Sequence, residues 1–133
     1  MAAPDIKPHV DAVTAALAAA SLAVGDGVAP SSIPSNGVYV VLYFDPGQSF
    51  AESLADQRTD FAVSFQATAV GPTAEKCRWA TQRVRMALHA PLTVSGRAAW
   101  RPEELGGPPM QRDDDVSPPL YYLPVQYRLQ STS

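Results

Sequence analysis

The first strong pattern in the sequence is an apolar stripe at helical spacing near the N-terminus. Apolar residues recur there at intervals of three, four or seven, which places them on one side of an α-helix. The members of this stripe are Ile6, Val10, Val13, Leu17, Ala20 and Val24. Pro8 suits the first turn, where its missing N–H costs nothing, and Gly25 and Gly27 suit the end. The pattern predicts a helix over residues 8–23.

Two β-strands of different character are predicted next. Residues 38–44 form a continuous β-branched and aromatic run, so we expect a central strand that is covered on both faces. Residues 59–70 alternate, which is typical of a strand with one buried face and one more polar face. The predicted buried face consists of Phe61, Val63, Phe65, Ala67 and Ala69.

The polar segment between these strands, residues 45–58, is long for a hairpin connection, which usually has about two to five residues. Phe50 and Leu54 lie four residues apart within it, as neighbours on a helix would. We hypothesise an interaction arm that becomes ordered only against a partner, with Phe50 and Leu54 as its apolar anchors. An ordinary ordered loop with a helical turn is the alternative.

A second helix is predicted over residues 74–89, with Thr73 as its N-cap. Its predicted core face consists of Cys77, Ala80, Thr81, Val84, Ala87 and Leu88. Trp79 and Met86 lie on the opposite side, and Arg83 follows Trp79 by four residues, which places it near the indole ring. Because these residue types are enriched at interfaces, Trp79, Arg83 and Met86 are predicted to contact a second subunit or another partner. A helix that packs on two sides within one domain would show the same pattern.

The signals weaken after this second helix. The predicted pieces are short strands at 92–94 and 98–101, a Pro-rich irregular segment at 102–119 and a final strand at 120–130. Pro124 marks the first half of the final strand as an edge or a bulge. The element order predicts an α+β fold, with one mixed or antiparallel β-sheet and two α-helices packed on one face, in a single domain over residues 1–133.

Composition supports one globular domain and narrows the range of partners. The chain has 133 residues, of which 46% are hydrophobic and 17% charged, so it can bury a single core. Its net charge of −3 argues against non-specific binding of nucleic acid, which needs a basic surface. No apolar run reaches the roughly 18 residues of a membrane span, and the first residues lack the cationic start of a secretory signal. We therefore expect a soluble protein that is made in the cytosol and contacts no membrane.

Few residues have the chemistry of a catalytic or metal-binding site. His9 and His89 match no zinc or catalytic spacing, and we expect both on the surface. Cys77 lies on the core face of the second helix and is predicted to be a buried structural cysteine. Gly25 and Gly27 follow a helix rather than a strand, so they do not indicate a phosphate-binding loop. We predict no catalytic residue, no cofactor and no bound metal.

The acidic triplet Asp113, Asp114 and Asp115 has three interpretations. Carboxylates bind calcium or magnesium, although this triplet lacks the glycine-punctuated spacing of a calcium loop. Alternatively, the triplet lines or borders a channel as an acidic rim that faces DNA or a basic partner. The third interpretation is a solvated turn, which adjacent carboxylates in a proline-bounded loop most often form.

Taken together, these elements resemble the tail terminator (tail completion) proteins of long-tailed bacteriophages, over nearly the whole chain. The carriers are the first helix, the strand at 38–44, the strand at 59–70 leading into residues 73–80, and residues 121–129. The resemblance implies a virion protein that forms a hexameric ring, caps the tail tube, stops its polymerisation and docks onto the head–tail connector protein. It further implies that DNA passes through the ring without specific binding, and that the subunit is in the host cytoplasm during assembly.

The Pro-rich segment at 102–119 departs from the pattern of that family, and no family residue carries over as a defined site. Two other classes of protein stay open. One is another neck component, such as a head-completion or connector protein, which would form a ring on the portal side. The other is a small ligand-binding or enzymatic α+β domain, which the sequence disfavours only because it shows no motif.

Overall fold

A computed structural model describes residues 4–50 and 59–133 of the chain. Two helices and one eight-stranded mixed sheet occupy this part, which confirms the predicted α+β fold. The helices are α1 (Lys7–Ala19) and α2 (Ala74–Ala87). The strands are β1 (Val24–Asp26), β2 (Tyr39–Phe44), β3 (Gln48–Phe50), β4 (Asp60–Gly71), β5 (Ala98–Ala99), β6 (Glu103–Gly106), β7 (Gln111–Asp113) and β8 (Leu120–Thr132). No helix in the described residues has the length and apolar character that crossing a membrane requires.

The long antiparallel pair β4 and β8 forms the centre of the sheet. The two strands are in continuous register from Asp60 opposite Thr132 to Gly71 opposite Tyr121. On the other side of β4, β2 pairs antiparallel with the second half of β4, and β3 pairs antiparallel with the first three residues of β4. β1 pairs parallel with β2. The three short strands β5, β6 and β7 pair with successive stretches of β8.

Both helices pack on one face of the sheet, as predicted. The alternating apolar residues of β4 point to that face, and the register aligns them with alternate residues of β2 and β8. The rings of Phe44, Phe65 and Tyr127 stack across three strands, with centroids 5.2 and 5.4 Å apart. The helices contribute Val13 and Leu17 from α1, and Val84 from α2, to the same core.

The opposite face of the sheet, here named the open sheet face, has no helix on it among the described residues. β2 is central, as predicted, but the expectation that it is covered on both faces is wrong. Val41 on this face is buried, whereas Tyr43 two residues later is 47% exposed. The aromatic run misled because a tyrosine ring covers its neighbours on a sheet while its hydroxyl stays in water.

Several element boundaries differ from the predictions. Helix α1 ends at Ala19, because Ser21 takes a left-handed conformation (φ 65°) and the chain turns into β1. Helix α2 ends at Ala87 instead of 89. Residues 92–94 form no strand, only a bridge between Val94 and Arg97, and the Pro-rich segment contains β6 and β7. Pro124 lies where β8 passes from the register of β7 to that of β6, so most of this strand is flanked on both sides.

The predicted loop at 45–58 begins as a strand. Residues 45–47 interrupt the pairing with β4 without reversing the chain, since β2 and β3 both run antiparallel to β4. The Asp45 carboxylate accepts hydrogen bonds there from the backbone N–H groups of Gly47 (2.9 Å) and Ser64 (3.1 Å). Gly47 has φ 76°, and a Cβ at this position would overlap the ring of Phe61. β3 follows and pairs with β4, so this part of the hypothesised arm is ordered within the subunit.

Candidate functional site

The outward face of α2 carries the first candidate interaction surface. Thr73 caps the helix by accepting the backbone N–H of Lys76 at 3.1 Å, and Cys77, Ala80, Thr81 and Val84 turn to the core. Trp79 and Met86 therefore project outward, 46% and 66% exposed. A helix packed on two sides within the subunit would have buried both residues.

Arg83 holds Trp79 in place and connects the two helices. Its guanidinium carbon lies 5.1 Å from the centroid of the Trp79 ring, as the four-residue spacing predicts. Its Nε and Nη2 atoms both donate to the carbonyl of Ala20, at 3.2 and 2.6 Å. The second contact was not predicted, because it joins residues 63 positions apart. Arg83 is therefore engaged within the subunit, and we treat it as a residue that positions Trp79.

A groove of about 470 Å³ lies beside the Trp79 ring, between α2 and the chain that enters β2. Its walls are formed by Asn36, Val38, Thr73, Glu75, Lys76 and Trp79. Trp79, Arg83 and this groove together are named the Trp79 surface below. On the other side of α2, Arg85 forms an ion pair with Glu104 of β6 at 2.8 Å.

The two predicted interface regions are not brought together. Phe50 is exposed on β3 opposite Asp60, at the start of β4. Trp79 lies near Val38, which precedes the strand that pairs with the far end of β4. Leu54, the other predicted anchor, lies outside the described residues. Phe50 and Trp79 therefore belong to different surfaces of the subunit.

The acidic triplet forms a turn at the end of β7. The Asp113 carboxylate accepts the backbone N–H of Asp115 at 3.0 Å, and Asp114 pairs with Arg112 at 2.6 Å on the exposed surface. Asp113 also borders a groove of about 270 Å³ on the open sheet face, beside Tyr39. Burial raises the pKa of the Tyr39 phenol, and the nearby Tyr43 and Asp113 raise it further. No group of three His, Cys, Asp or Glu side chains in residues 4–50 and 59–133 is arranged to hold a metal.

A groove of about 400 Å³ lies on the open sheet face. Its walls are the uncharged side chains of Tyr43, Gln66, Thr68, Tyr122 and Pro124. The Gln66 amide donates to Thr68 Oγ1 at 2.8 Å, and Gln126 donates to Gln66 Oε1 at 2.7 Å. These hydrogen bonds fix a row of amides and hydroxyls across β4 and β8.

The prediction for His9 is wrong, since the imidazole is fully buried. It lies against the Phe61 ring, with centroids 4.6 Å apart, and its Nε2 is 2.7 Å from Ser131 Oγ. The sequence contained a signal for this burial, because His9 lies three residues after Ile6 and four before Val13 on the apolar stripe. The partner Ser131 is 122 positions away and carries no such signal.

The Ser131–His9 distance is that of a nucleophile and its general base, but the surroundings differ from those of a catalytic pair. Ser131 and His9 are both fully buried, and neither of them lines the groove beside Trp79 or the two grooves on the open sheet face. Ser131 Oγ also accepts a hydrogen bond from Arg97 Nε at 2.7 Å. A fully buried hydroxyl that is engaged by both His9 and Arg97 is not exposed to a substrate, so we interpret the pair as structural.

The predictions that Cys77 is buried and that His89 lies on the surface are confirmed. Cys77 is buried, its thiol lies 3.4 Å from the Ala69 carbonyl, and burial raises its pKa to about 11. A thiol in this environment is a poor nucleophile at neutral pH. His89 is exposed, with its Nε2 3.4 Å from Arg101 Nη1.

Comparison with known proteins places this fold beside a virion component. One similar solved chain belongs to the virion of a native gene transfer agent particle, with a TM-score of 0.62 and 20% sequence identity over 92% of this chain and 93% of the other. A second solved chain has a TM-score of 0.53 and 17% identity, and the match covers 97% of this chain and 96% of the other. Neither a protein-family model nor a curated protein sequence matches this chain. At these identities the likeness shows a shared fold.

Proposed function

We propose that this protein is a structural component of a virion and acts as a tail terminator. In this role, copies of the chain form a ring that caps the tail tube, stops its polymerisation and joins the tail to the head–tail connector protein. The observation that carries the proposal is the fold match to a gene transfer agent virion chain over nearly the full length of both proteins. Within residues 4–50 and 59–133, the full burial of the Ser131–His9 pair is consistent with a role without catalysis.

The distribution of surfaces suits a ring. The Trp79 surface lies on the helix side of the subunit, and Phe50 lies on β3 beside the start of β4. Two different surfaces on one chain allow head-to-tail contacts, and such contacts close into a ring when the rotation between neighbours permits. We propose that the Trp79 surface is one side of this contact.

The open sheet face suits the wall of a channel through which DNA passes. The groove of about 400 Å³ on this face is lined by one amide, a threonine hydroxyl, a proline and two tyrosine rings, and Asp113 borders the neighbouring groove. Neither of these two grooves is lined by a cationic side chain, so they do not attract phosphate, and on this proposal DNA slides past them without specific binding. On this proposal the acidic triplet lies at the rim of the channel.

The test is electron microscopy of tails assembled with and without this protein, together with its mass in solution. A tail terminator is expected to form a closed oligomer, and its omission is expected to give tubes of uncontrolled length. Tails of normal length that fail to join heads would instead indicate another neck component. A chain that stays monomeric at all concentrations and has no effect on tails would contradict both roles.

A further inference from the structure

A buried polar network joins the two ends of the chain to the start of β4. His9 lies in the first turns of α1 and Ser131 near the end of β8, and both are fully buried. Arg97, in the turn before β5, donates from Nε to Ser131 Oγ at 2.7 Å. Its Nη2 donates to the carbonyl of Thr59, the residue that precedes β4. His9, Ser131 and Arg97 are named the polar network below.

The partners of each atom determine where the hydrogens lie. The carbonyl of Asp5 only accepts, so His9 Nδ1, 2.9 Å away, carries a hydrogen. Arg97 Nε only donates, so Ser131 Oγ accepts from it and directs its own hydrogen to His9 Nε2. Every bond in this arrangement is satisfied only when the imidazole is neutral.

A second proton on His9 breaks this arrangement. Nε2 would then carry a hydrogen that points at Ser131 Oγ, and the hydroxyl hydrogen of Ser131 would lose its acceptor. The new positive charge would also lie in a buried site beside the guanidinium of Arg97. The charged groups that face His9 are Arg97 and Asp5, whereas β4 presents the Phe61 ring and β8 the Ser131 hydroxyl.

We propose that the polar network is an acid-sensitive latch, in which protonation of His9 separates the first turns of α1 from the end of β8 and loosens the start of β4. This inference concerns regulation and is independent of the tail terminator role. The base of the β3–β4 hairpin is held at the same place, because Thr59 N–H donates to Ser133 Oγ at 2.8 Å and Ser133 N–H donates to the Thr59 carbonyl at 3.1 Å. Mild acid therefore acts on the segment that carries Phe50.

The direction of the pH dependence follows from the environment of His9. Burial lowers the pKa of His9 below its ordinary value of 6.5, and Arg97 lowers it further, against the opposing effects of the hydrogen bond that Nδ1 donates to the Asp5 carbonyl and of the Asp5 charge. Between that lowered pKa and 6.5, the opened form binds a proton that the closed form does not. The closed form is thus favoured fully above pH 6.5 and loses stability as the pH falls below it.

The experiment is amide hydrogen exchange on the full chain between pH 8 and pH 5, corrected for intrinsic exchange, with an NMR titration of the imidazole. We expect the opening equilibrium of α1 and of the last residues of β8 to rise as the pH falls below 6.5, by at most about tenfold per pH unit until the lowered pKa of His9 is reached. His89→Gln, which changes the exposed histidine, is the matched control and should retain this dependence. His9→Gln should flatten it, because the amide does not titrate.

Arg97→Gln gives a second test that does not remove the histidine. Without the guanidinium charge, the pKa of His9 in the closed form should lie closer to 6.5. The pH-dependent part of the opening of α1 should therefore be smaller, and should level off at a higher pH, than in the unmodified chain. The latch is refuted if opening of α1 is independent of pH, if His9 titrates without any change in exchange, or if Arg97→Gln shifts neither quantity. If His9→Gln fails to fold, the titration of the unmodified chain and of Arg97→Gln still decides the matter.

Discussion

Replacing Trp79 with alanine separates a role in assembly from a role in folding. Trp79 is 46% exposed, so of the roughly 200 Å² of a tryptophan side chain, about 100 Å² is buried in the subunit and about 100 Å² is left for a partner. At about 25 cal/mol per Å², each half corresponds to about 2.5 kcal/mol. Trp79→Ala should therefore lower the free energy of unfolding by at most about 2.5 kcal/mol, and should weaken each subunit contact about 60-fold.

The assay is sedimentation equilibrium over a wide concentration range, with thermal unfolding of the same samples. Trp100→Ala is the matched control, because Trp100 is 54% exposed and does not lie on α2. The control should leave the association constant unchanged, whereas Trp79→Ala should shift the chain towards monomer while it stays folded. The reasoning is wrong if Trp79→Ala lowers the unfolding temperature but assembles normally, or if both variants weaken assembly equally.

Three further predictions concern the other candidate residues. Changing all three aspartates at 113–115 to asparagine should alter the free energy of unfolding of the subunit by less than about 1 kcal/mol, since exposed ion pairs contribute little. The same change should slow DNA release from particles. Unchanged release at every salt concentration would place the triplet outside the channel. Backbone amides of Gln48–Phe50 that do not pair with β4 should be better protected in assembled particles than in free subunits, and equal exchange in both would contradict the arm hypothesis. Arg83→Ala should lower the free energy of unfolding by about 1–3 kcal/mol in chemical denaturation, because the Ala20 carbonyl loses both of its hydrogen-bond donors. An unchanged denaturation midpoint would mean that water replaces these two donors.

The sequence was most informative where a residue's environment follows from its near neighbours. The alternation in β4 predicted which side chains face the helices, because successive residues of a strand point to opposite faces and one face is buried. The spacing in α2 likewise placed Cys77 in the core and Trp79 outside it. In both elements the spacing of the apolar residues matches the repeat of the strand or helix, and all of these residues face the same core.

The short strands were missed because their pairing depends on distant residues. The segment Val24–Asp26 contains a glycine and an aspartate, which are poor strand formers, yet it pairs in parallel with residues 40–42 of β2. A Cβ on Gly25 would overlap the carbonyl of Val28, so this glycine is required by a turn that follows the strand. β6 and β7 were missed for the same reason. They pair with the backbone of β8, and this pairing forms even where the local sequence has low strand propensity.

The candidate residues also differ in how far the subunit prepares them for a partner, which sequence spacing alone does not reveal. Trp79 already rests against the guanidinium of Arg83, and Arg83 is fixed by two hydrogen bonds to Ala20. Ordering a free side chain at an interface costs about 0.5–1.5 kcal/mol, and a ring held in advance avoids much of that cost. Met86 is 66% exposed and has more side-chain torsions to fix. For equal exposed area, Trp79 therefore contributes more to the affinity for a partner than Met86 does.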